Sequence, residues 1–560
     1  MRGVRILPFG DRALLVEFAG LTDTIAATAL LEQHPIDGVI DVVPGARTVL
    51  VRLGAGRGGL TALEQRLARL FAELESPTVG AGEVPAPADR VVRIPVAYDG
   101  EDLAAVAEAW GCSVDEVVRR HAATEWVCAF VGFAPGFPYL VPIDAEPLPA
   151  VPRRATSRAR VPAGAVALAA EYCGVYPRES PGGWQVIGRT DAPLWDTGRA
   201  TPALITAGTR VRFTPVMGGA GGAPGPAGRS VSQESSIATP GNSGQDSGAR
   251  TSFPEKRHAP STHGAASQSV RVLEPGALTL VHDLGRPGLA RLGVGASGAF
   301  DRAAHRFANR LVGNDEGAAA FEVLLGGATI ALPAGAWLAV TGASGTVTLD
   351  GVAVPPAVAV RAEREGAELR LGPAGRGVRY SVAVRGGLDV PAELGSRSRD
   401  TLAALGPAPL AAGDTVTLAN EVAGPIPAVD LFATDAVLAS ATELTVRPGP
   451  RRDWFTDASW ERMLHEAWTV SARADRTGIR LDGPSLERQP EAVGRELPSE
   501  GMLTGALQVS PDGVPTILGP DHPVTGGYPV IAVVTDDARD RLAQLRPGDP
   551  VRLRLATGRP

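Results

Sequence analysis

Lysine is almost absent from this 560-residue chain, although Lys and Arg together number 54. The one lysine, Lys256, lies in a stretch rich in Gly, Pro, Ser and Ala. A phosphate-binding loop of the Gly-Lys-Ser/Thr type needs an ordered lysine, and so does a Schiff base. The sequence therefore excludes both, and it also lacks a lysine for covalent biotin. A bound nucleotide must be held by arginines, backbone amides and loops.

Other features that the sequence lacks also restrict the class of protein. Cys112, Cys128 and Cys173 are odd in number and scattered, which is typical of reduced, buried thiols rather than of a disulfide framework or a zinc site. No apolar run approaches the roughly 18 residues that span a bilayer. The net charge of -7 provides no basic surface for nucleic acid. Asp11 and Arg12 interrupt the apolar region that a signal peptide would need, so we expect a cytoplasmic protein.

The composition changes abruptly at residues 218–268, where apolar periodicity disappears, as in a flexible linker. Three similar signals, "AGTRVRF" (207–213), "AGDTVTL" (412–418) and "PGDPVRL" (547–553), each combine a glycine turn with an alternating strand. Such turns also arise by chance in β proteins. We interpret them as the ends of three related β units, which predicts a mainly β fold in two halves.

The first 85 residues alternate short strands with helical stretches, which predicts a small α+β domain. The predicted domains are an α+β domain at 1–88, a barrel at 89–217, the linker at 218–268, and two further barrels at 269–420 and 421–560.

The stretch "FVGFAPGFPYL" (130–140) concentrates aromatic residues in a chain with only 5% of them. Its first two residues are expected to end a strand. Pro135 and Pro138 fix φ, while Gly136 permits conformations closed to other residues. We expect a rigid loop whose rings pack in the core and whose backbone at Gly136 approaches a ligand.

This loop and two arginine-containing motifs resemble the B component of the prokaryotic ATP-dependent 5-oxoprolinase, also labelled allophanate hydrolase subunit 1. The resemblance covers nearly all of 1–217 and rests on "HAATEWVCAFVGFAPGFPYL", "PRRATSRARVPAG" and "YPRESPGGWQVIGRT". Ser157 stands where that family usually has a second proline.

The second half resembles the C component of 5-oxoprolinase, also labelled allophanate hydrolase subunit 2. The longest matching motifs are "VHDLGRPGLARLGVGASGAFDRAAHRFANRLVGNDEGAAAFEVLLGG" (281–327), "RGGLDVPAELGSRSRD" (385–400) and "SEGMLTGALQVSPDGVPTIL" (499–518). Two positions depart from the family. His282 stands before Asp283 where the family usually has Gln, and "PAPLAAG" (407–413) replaces an expected Gly-Gly-x-x-Gly-Arg stretch.

The resemblance implies cyclophilin-like β-barrels and a separate partner protein, component A of 5-oxoprolinase. It also implies that the three components open the lactam of 5-oxoproline to L-glutamate with ATP, supplied as its Mg²⁺ complex. The same modules, in reversed order, form the carboxyltransferase region of urea carboxylase, so the order in this chain favours the oxoprolinase. Two alternatives stay open: a carboxyltransferase acting on urea or a related amide with carboxybiotin from another chain, and a binding module that inhibits a sensor kinase. Oligomerisation is left open.

Lactam opening by way of a phosphorylated amide needs donors for the phosphates, a metal and a base for water. In the second half, Asp283, Asp301 and Glu322 are the catalytic candidates, with a base or Mg²⁺ role for the two aspartates. Arg286, in the turn "DLGRPG", is the expected phosphate contact. The structural alternative is that Asp283 caps a turn and Glu322 pairs with an arginine.

Further candidates lie in the first half and in the last barrel. His121 is a catalytic candidate, although a lone histidine is more often structural. The residues expected to bind anions, substrate or nucleotide are Gly136, Arg153, Arg154 and Arg158 in the first half, and Gln508, Thr525, Gly526 and Tyr528 in the last barrel.

Overall fold

The computed structural model describes residues 4–56, 59–75, 91–143, 148–216, 268–428, 430 and 442–558. The predicted linker, apart from its last residue, lies outside these residues, and so do Lys256 and the predicted boundary at 88. The described chain is mainly β, as predicted. None of its helices combines the length and apolar character needed to cross a membrane.

The N-terminal segment is an α+β layer, as predicted. Its antiparallel sheet has the order β1-β2-β4-β3 and carries two helices. The elements are β1 (Arg5–Pro8), β2 (Ala13–Glu17), α1 (Leu21–Gln33), β3 (Val39–Pro44), β4 (Thr48–Leu53) and α2 (Leu60–Glu75). Alternation along β2 sends Leu14 and Val16 into the core shared with the helices, whereas Ala13 and Leu15 enter a core shared with the last barrel. Both faces are buried, which explains the continuous apolar run of β2.

The first barrel follows. Its seven-stranded sheet has the order β12-β9-β10-β7-β6-β13-β5, and a bridge between Ala97 and Arg189 joins its edges. The elements are β5 (Val91–Val96), α3 (Leu103–Trp110), α4 (Val114–Ala123), β6 (Trp126–Val131), β7 (Pro138–Pro142), β8 (Arg158–Val161), β9 (Ala165–Ala169), β10 (Tyr172–Val175), β11 (Ser180–Gly182), β12 (Gln185–Arg189) and β13 (Arg210–Pro215).

The second half begins with a ten-stranded sheet built around two long paired strands, β18 and β21. Its elements are β14 (Ser269–Pro275), β15 (Leu278–His282), α5 (Arg302–Leu311), β16 (Ala320–Leu324), β17 (Ala328–Leu332), β18 (Trp337–Leu349), β19 (Val352–Ala353), β20 (Val360–Arg361), β21 (Ala367–Val384), β22 (Leu388–Asp389) and β23 (Thr415–Leu418).

A closed barrel completes the second half, in the order β24-β31-β28-β29-β26-β25-β32. The elements of this segment are β24 (Thr442–Pro448), α6 (Asp457–His465), β25 (Trp468–Val470), β26 (Gly478–Asp482), β27 (Glu500–Gly501), β28 (Ala506–Val509), β29 (Pro515–Leu518), β30 (Thr525–Gly526), β31 (Val530–Val534), α7 (Asp536–Leu542) and β32 (Pro550–Leu555). Strands β27 and β30 pair with each other in a separate two-stranded sheet.

Each of the three repeated sequence signals ends in a strand that pairs with the first strand of its own sheet. The pairing is parallel for β13 with β5 and for β32 with β24. For β23 with β14 it is antiparallel, so the middle sheet closes differently from the other two.

The two halves share buried contacts. Phe9, Leu15 and Leu50 of the N-terminal layer pack in one core with Met502 and Val533 of the last barrel. Buried charges reinforce this contact. Arg451 pairs with the buried Glu500 and also lies 3.3 Å from the carboxylate of Glu17 in β2. This packing fixes the N-terminal layer against the last barrel.

Candidate functional site at the junction of the two halves

The predicted loop lies against the second half. The N–H of Phe133 donates to Thr525 Oγ1 at 2.9 Å. A Cβ on the preceding residue, Gly132, would lie 2.3 Å from the same oxygen, so this close approach requires glycine. The aromatic loop and the candidate residue Thr525 of the last barrel, which the sequence identified separately, therefore meet at the junction.

The aromatic rings of the loop are packing groups, as expected. Phe130, Phe137 and Tyr139 are buried in one cluster with Tyr176 and Trp184. Phe130 stacks on Tyr139 with 4.2 Å between ring centroids, and Phe137 meets its neighbours edge to face.

Gly136 uses its backbone to join the halves. Its φ is +72°, and its N–H donates to Leu292 O at 2.9 Å. A Cβ there would lie 2.8 Å from Trp195 Cε3. The amide expected to face a ligand is thus engaged by the protein, and the residue supports Trp195 instead.

A cleft of about 390 Å³ opens beside this contact. Its walls come from both halves of the chain: Pro135, Pro177, Arg178, Pro193, Trp195, Asp196 and Thr197 from the first, and Glu393, Ala403, Ala404 and Leu405 from the second. The volume lies in the range of small-molecule sites.

Arg178 is the cation of this cleft. It is half-buried, and its Nη2 donates to the carbonyl of Leu402 across the junction. Burial lowers its pKa, and the nearby carboxylate of Asp400 opposes that effect. Behind the wall, Asp400 accepts the N–H of Ala403 at 2.7 Å, and burial together with Asp521 raises its pKa to about 6.

Asp283 has a structural environment. Its carboxylate accepts four hydrogen bonds, from the N–H groups of Gly285 and Arg397 and the hydroxyls of Ser396 and Ser398, at 2.5–2.8 Å. These contacts match the turn-capping alternative and hold the "SRSR" segment in place.

Glu322 belongs to a buried charge network between the two parts of the second half. Arg476 donates to Glu322 Oε1 at 2.7 Å and grips Asp521 through Nε at 2.9 Å and Nη2 at 3.1 Å. Arg379 lies 3.4 Å from the same Glu322 oxygen. Burial would raise the pKa of both carboxyls, but the guanidinium groups bring each below its ordinary value. This geometry matches the arginine-pairing alternative.

Asp301 begins α5 as its N-cap. Its carboxylate accepts from Ala304 N at 2.9 Å and from Gln544 Nε2 at 2.6 Å, and burial raises its pKa to about 6. A cavity of about 10 Å³, room for one water, lies between Asp301, His305 and Glu322. Of the predicted acids, the fold thus brings Asp301 and Glu322 together, while Asp283 holds the "SRSR" segment in place.

Arg286 and His282 carry buried polar atoms without partners in the described chain. Arg286 donates Nε to Glu393 O and Nη2 to Ser398 O, while Nη1 has no partner among the described residues. Both ring nitrogens of the fully buried His282 likewise lack a hydrogen-bond partner within that part of the chain, and Nε2 lies 3.9 Å from Glu322 Oε1. Arg286 is 2% exposed, a position that does not suit direct contact with a phosphate.

The first-half arginines do not converge on one anion site. Arg154 and Arg158 both bind the carboxylate of Asp102 before α3, Arg158 at 2.8 and 2.9 Å. Arg153 is exposed and forms no ion pair with any described residue. His121 is enclosed in the barrel core, with Nδ1 2.8 Å from the Tyr98 hydroxyl, and burial lowers its pKa to about 3.

In the last barrel, Gln508, Gly526 and Tyr528 lie together. Gln508 Nε2 is 3.4 Å from Tyr528 O, and a Cβ on Gly526 would lie 2.7 Å from that nitrogen. Tyr528 is 48% exposed. Thr525 contacts the first-half loop instead, so this predicted set divides between two surroundings.

Mg²⁺ prefers several carboxylate or carbonyl oxygens free to bind it. Among the described residues, no group of three His, Cys, Asp or Glu side chains has that arrangement. The oxygens of Asp283 and Asp301 already accept protein hydrogen bonds. These residues therefore do not fit a resident metal site.

Sequence reasoning missed Arg178, Trp195, Asp400, Arg476 and Asp521. Arg178 and Asp400 lie inside motifs that carry the family resemblance. No local sequence signal marks these residues, because their pairing is formed by the tertiary structure.

Two family models match the chain. The carboxyltransferase domain, subdomain C and D, matches residues 4–205, and the carboxyltransferase domain, subdomain A and B, matches residues 292–555. The two halves on either side of the cleft are thus carboxyltransferase-type domains.

Two curated relatives define this class more narrowly. The C component of 5-oxoprolinase from Escherichia coli K12 is 34% identical over 285 residues, which are 50% of this chain and 89% of the relative. The B component of 5-oxoprolinase from Escherichia coli O157:H7 is 37% identical over 223 residues, 38% of this chain and 97% of the relative. The chain therefore belongs to the carboxyltransferase-domain family that includes the B and C components of 5-oxoprolinase.

Two further similarities complete the comparison. Urea amidolyase of Saccharomyces cerevisiae is 33% identical over half of this chain, which spans only 16% of that enzyme. A crystal structure of the protein TTHA0988 matches with a TM-score of 0.78 and 33% identity, covering 97% of this chain and 99% of that one.

Proposed function

We propose that this chain supplies the B and C components of an ATP-dependent 5-oxoprolinase, fused in one polypeptide, and acts with a separate component A. The carrying observation is that one chain matches both components over nearly their full lengths. The reaction opens the lactam of 5-oxoproline to L-glutamate while ATP is hydrolysed.

The junction supports this proposal. The N-terminal layer and the last barrel share one apolar core, and Arg451 lies between carboxylates from both halves. A fused chain therefore holds the B-like and C-like parts in a fixed arrangement around the cleft. The cleft is the place where groups from both halves can act on one small molecule.

Lactam opening breaks the ring C–N bond after water adds to the carbonyl carbon, and the released amine takes a proton. A protein accelerates such a step by holding the lactam, supplying donors to the carbonyl oxygen and accepting a proton from water. The contacts of Asp283, Glu322 and His121 favour structural roles, so their catalytic roles stay predictions.

The test is reconstitution. The purified chain, its genetically matched component A, 5-oxoproline and Mg²⁺-ATP should together release glutamate and phosphate, and either protein alone should release neither. Absence of turnover with both proteins shown to be folded and associated would refute the proposal.

A second candidate, carboxyl transfer to urea or a related amide, is favoured by the similarity to urea amidolyase and by the matched domain models. It predicts that carboxybiotin on another chain loses its carboxyl group when the chain and the amide are added. Glutamate formation without carboxyl transfer would reject this candidate.

A further inference from the structure

The cleft at the junction contains a guanidinium group that has no ion-pair partner among the described residues. Arg178 forms no ion pair with any residue in the described part of the chain, and its Nε lacks a hydrogen-bond partner there. The carboxylates beside it are engaged. Asp196 accepts Gly198 N at 2.9 Å, and Glu393 accepts Gly406 N at 2.5 Å.

A half-buried guanidinium without an ion-pair partner favours an anion, because its positive charge and N–H groups can bind a carboxylate in a partly dry site. Asp400 stands behind the wall rather than on it, since it is 3% exposed and accepts the Ala403 amide. Arg178 is the one cation among the residues that line the cleft, where the carboxylates of Asp196 and Glu393 each accept a backbone N–H.

Apolar and aromatic groups also line the cleft. Trp195 lines the cleft together with three prolines, and its indole N–H donates to no residue among those described. The ring is supported from behind, because Gly136 lies close to its Cε3 atom and a bridge to Ala203 fixes its backbone. A flat ring with one polar edge fits such a wall.

The second-half wall carries backbone strain. Leu394, next to Glu393, has φ +53°, and Ala404, which lines the cleft, has φ +52°. Non-glycine residues in this region of conformational space are strained, and they cluster at ligand sites. Packing on both sides of the junction holds these residues in place.

We infer that this cleft binds a small cyclic carboxylate, with Arg178 as the partner of the carboxylate and Trp195 as the wall for the ring. The inference rests on the proposed function and deepens it, because 5-oxoproline is a five-membered lactam that carries one carboxylate. A free phosphate shares the anionic chemistry but lacks the ring, so it serves as a competing occupant in the test.

Calorimetric titration of the full chain, without component A, tests the site directly. We expect saturable binding of 5-oxoproline. Binding of 2-pyrrolidinone, the same lactam without a carboxylate, should be weaker by about ten- to a hundred-fold, the value of a charged hydrogen-bonded contact. Phosphate that binds as tightly as 5-oxoproline, or absence of any 5-oxoproline binding, would overturn the inference.

Variants locate the site. Arg178→Met should weaken 5-oxoproline binding by about ten- to a hundred-fold. The control Arg160→Met removes an exposed arginine of the same barrel and should leave binding unchanged. Because Arg178 also bonds Leu402 O, Thr197→Trp provides a second test that fills the cleft and keeps the arginine. Unchanged affinity in either cleft variant contradicts the assignment.

These outcomes separate the inference from the proposed function. Turnover with component A that is unaffected by Arg178→Met would reject the cleft and keep the oxoprolinase. Binding that depends on Arg178 in a chain without turnover would keep the site and reject the activity.

Discussion

Replacing Arg476 by Met should destabilise the protein by about 3 kcal/mol at neutral pH. Arg476 is buried and neutralises Glu322 and Asp521, and removing one partner of a buried ion pair costs roughly 3–5 kcal/mol. The lower end applies because each carboxylate keeps a donor: Arg379 stays 3.4 Å from Glu322, and the Ser297 hydroxyl stays 2.6 Å from Asp521.

The loss of stability in Arg476→Met should depend on pH. In the native protein the folded pKa of both carboxyls is lowered, so they stabilise above their unfolded pKa values of about 4 and lose this contribution as the pH falls. In the variant, the Arg476 guanidinium no longer opposes the effect of burial, so both pKa values rise. The ionised carboxylates then destabilise the folded protein until they are protonated. The difference between the proteins is therefore largest near pH 8 and shrinks toward pH 5.

Urea unfolding followed by tryptophan fluorescence measures this difference at several pH values. Arg480→Met is the matched control, because Arg480 pairs with Asp512 near the surface at 3.1 Å and should cost less than about 1 kcal/mol. A deficit for Arg476→Met that equals the control, or one that is constant from pH 5 to pH 8, would refute the account of the buried network.

Two further predictions follow from the same geometry. Gly136→Val should lower the stability by roughly 1–3 kcal/mol and also lower the 5-oxoproline affinity, because its Cβ would press on Trp195. The control is Gly111→Val, since Gly111 also has a positive φ but has open space around it, so the affinity should persist. An equal loss of affinity in both variants would contradict the packing explanation. In the folded protein only Cys112 should react with a thiol reagent, since burial raises the pKa of the other two thiols; more than one rapid thiol would contradict the described burial.

The β architecture could be predicted because turns and alternating strands are local features. The three glycine-turn signals end strands that pair within their own sheets, yet the antiparallel closure at β23 depends on partners far along the chain. Likewise, Gly132 was recognisable as part of a rigid loop. Its requirement for glycine comes from Thr525, which lies almost 400 positions away in the sequence.

The candidate site was less accessible to sequence reasoning. Asp283 and Glu322 were identified as acids inside a motif, but only the fold reveals that hydroxyls and amides surround one and arginines surround the other. Arg154 and Arg158 were expected to bind external anions, whereas Asp102 occupies both. A single sequence shows which charges exist, while the pairing among them is a property of tertiary structure.

The stretch "PAPLAAG" (407–413), which departs from the family pattern, lies next to the cleft wall. It directly follows Leu405, which lines the cleft, and Gly406, whose N–H binds Glu393. The arginine that the resemblance leads one to expect in this stretch is therefore replaced close to the proposed binding site. This position is the place to look for altered substrate preference.

The most direct test of the central claim is the stoichiometry of the reconstituted reaction. The full chain and its matched component A, supplied with 5-oxoproline and Mg²⁺-ATP, should form glutamate and phosphate in equal amounts, with neither product when 5-oxoproline or either protein is omitted. Phosphate release that ignores 5-oxoproline, or no glutamate from a folded and associated pair, would contradict the assignment of this chain as a fused 5-oxoprolinase component.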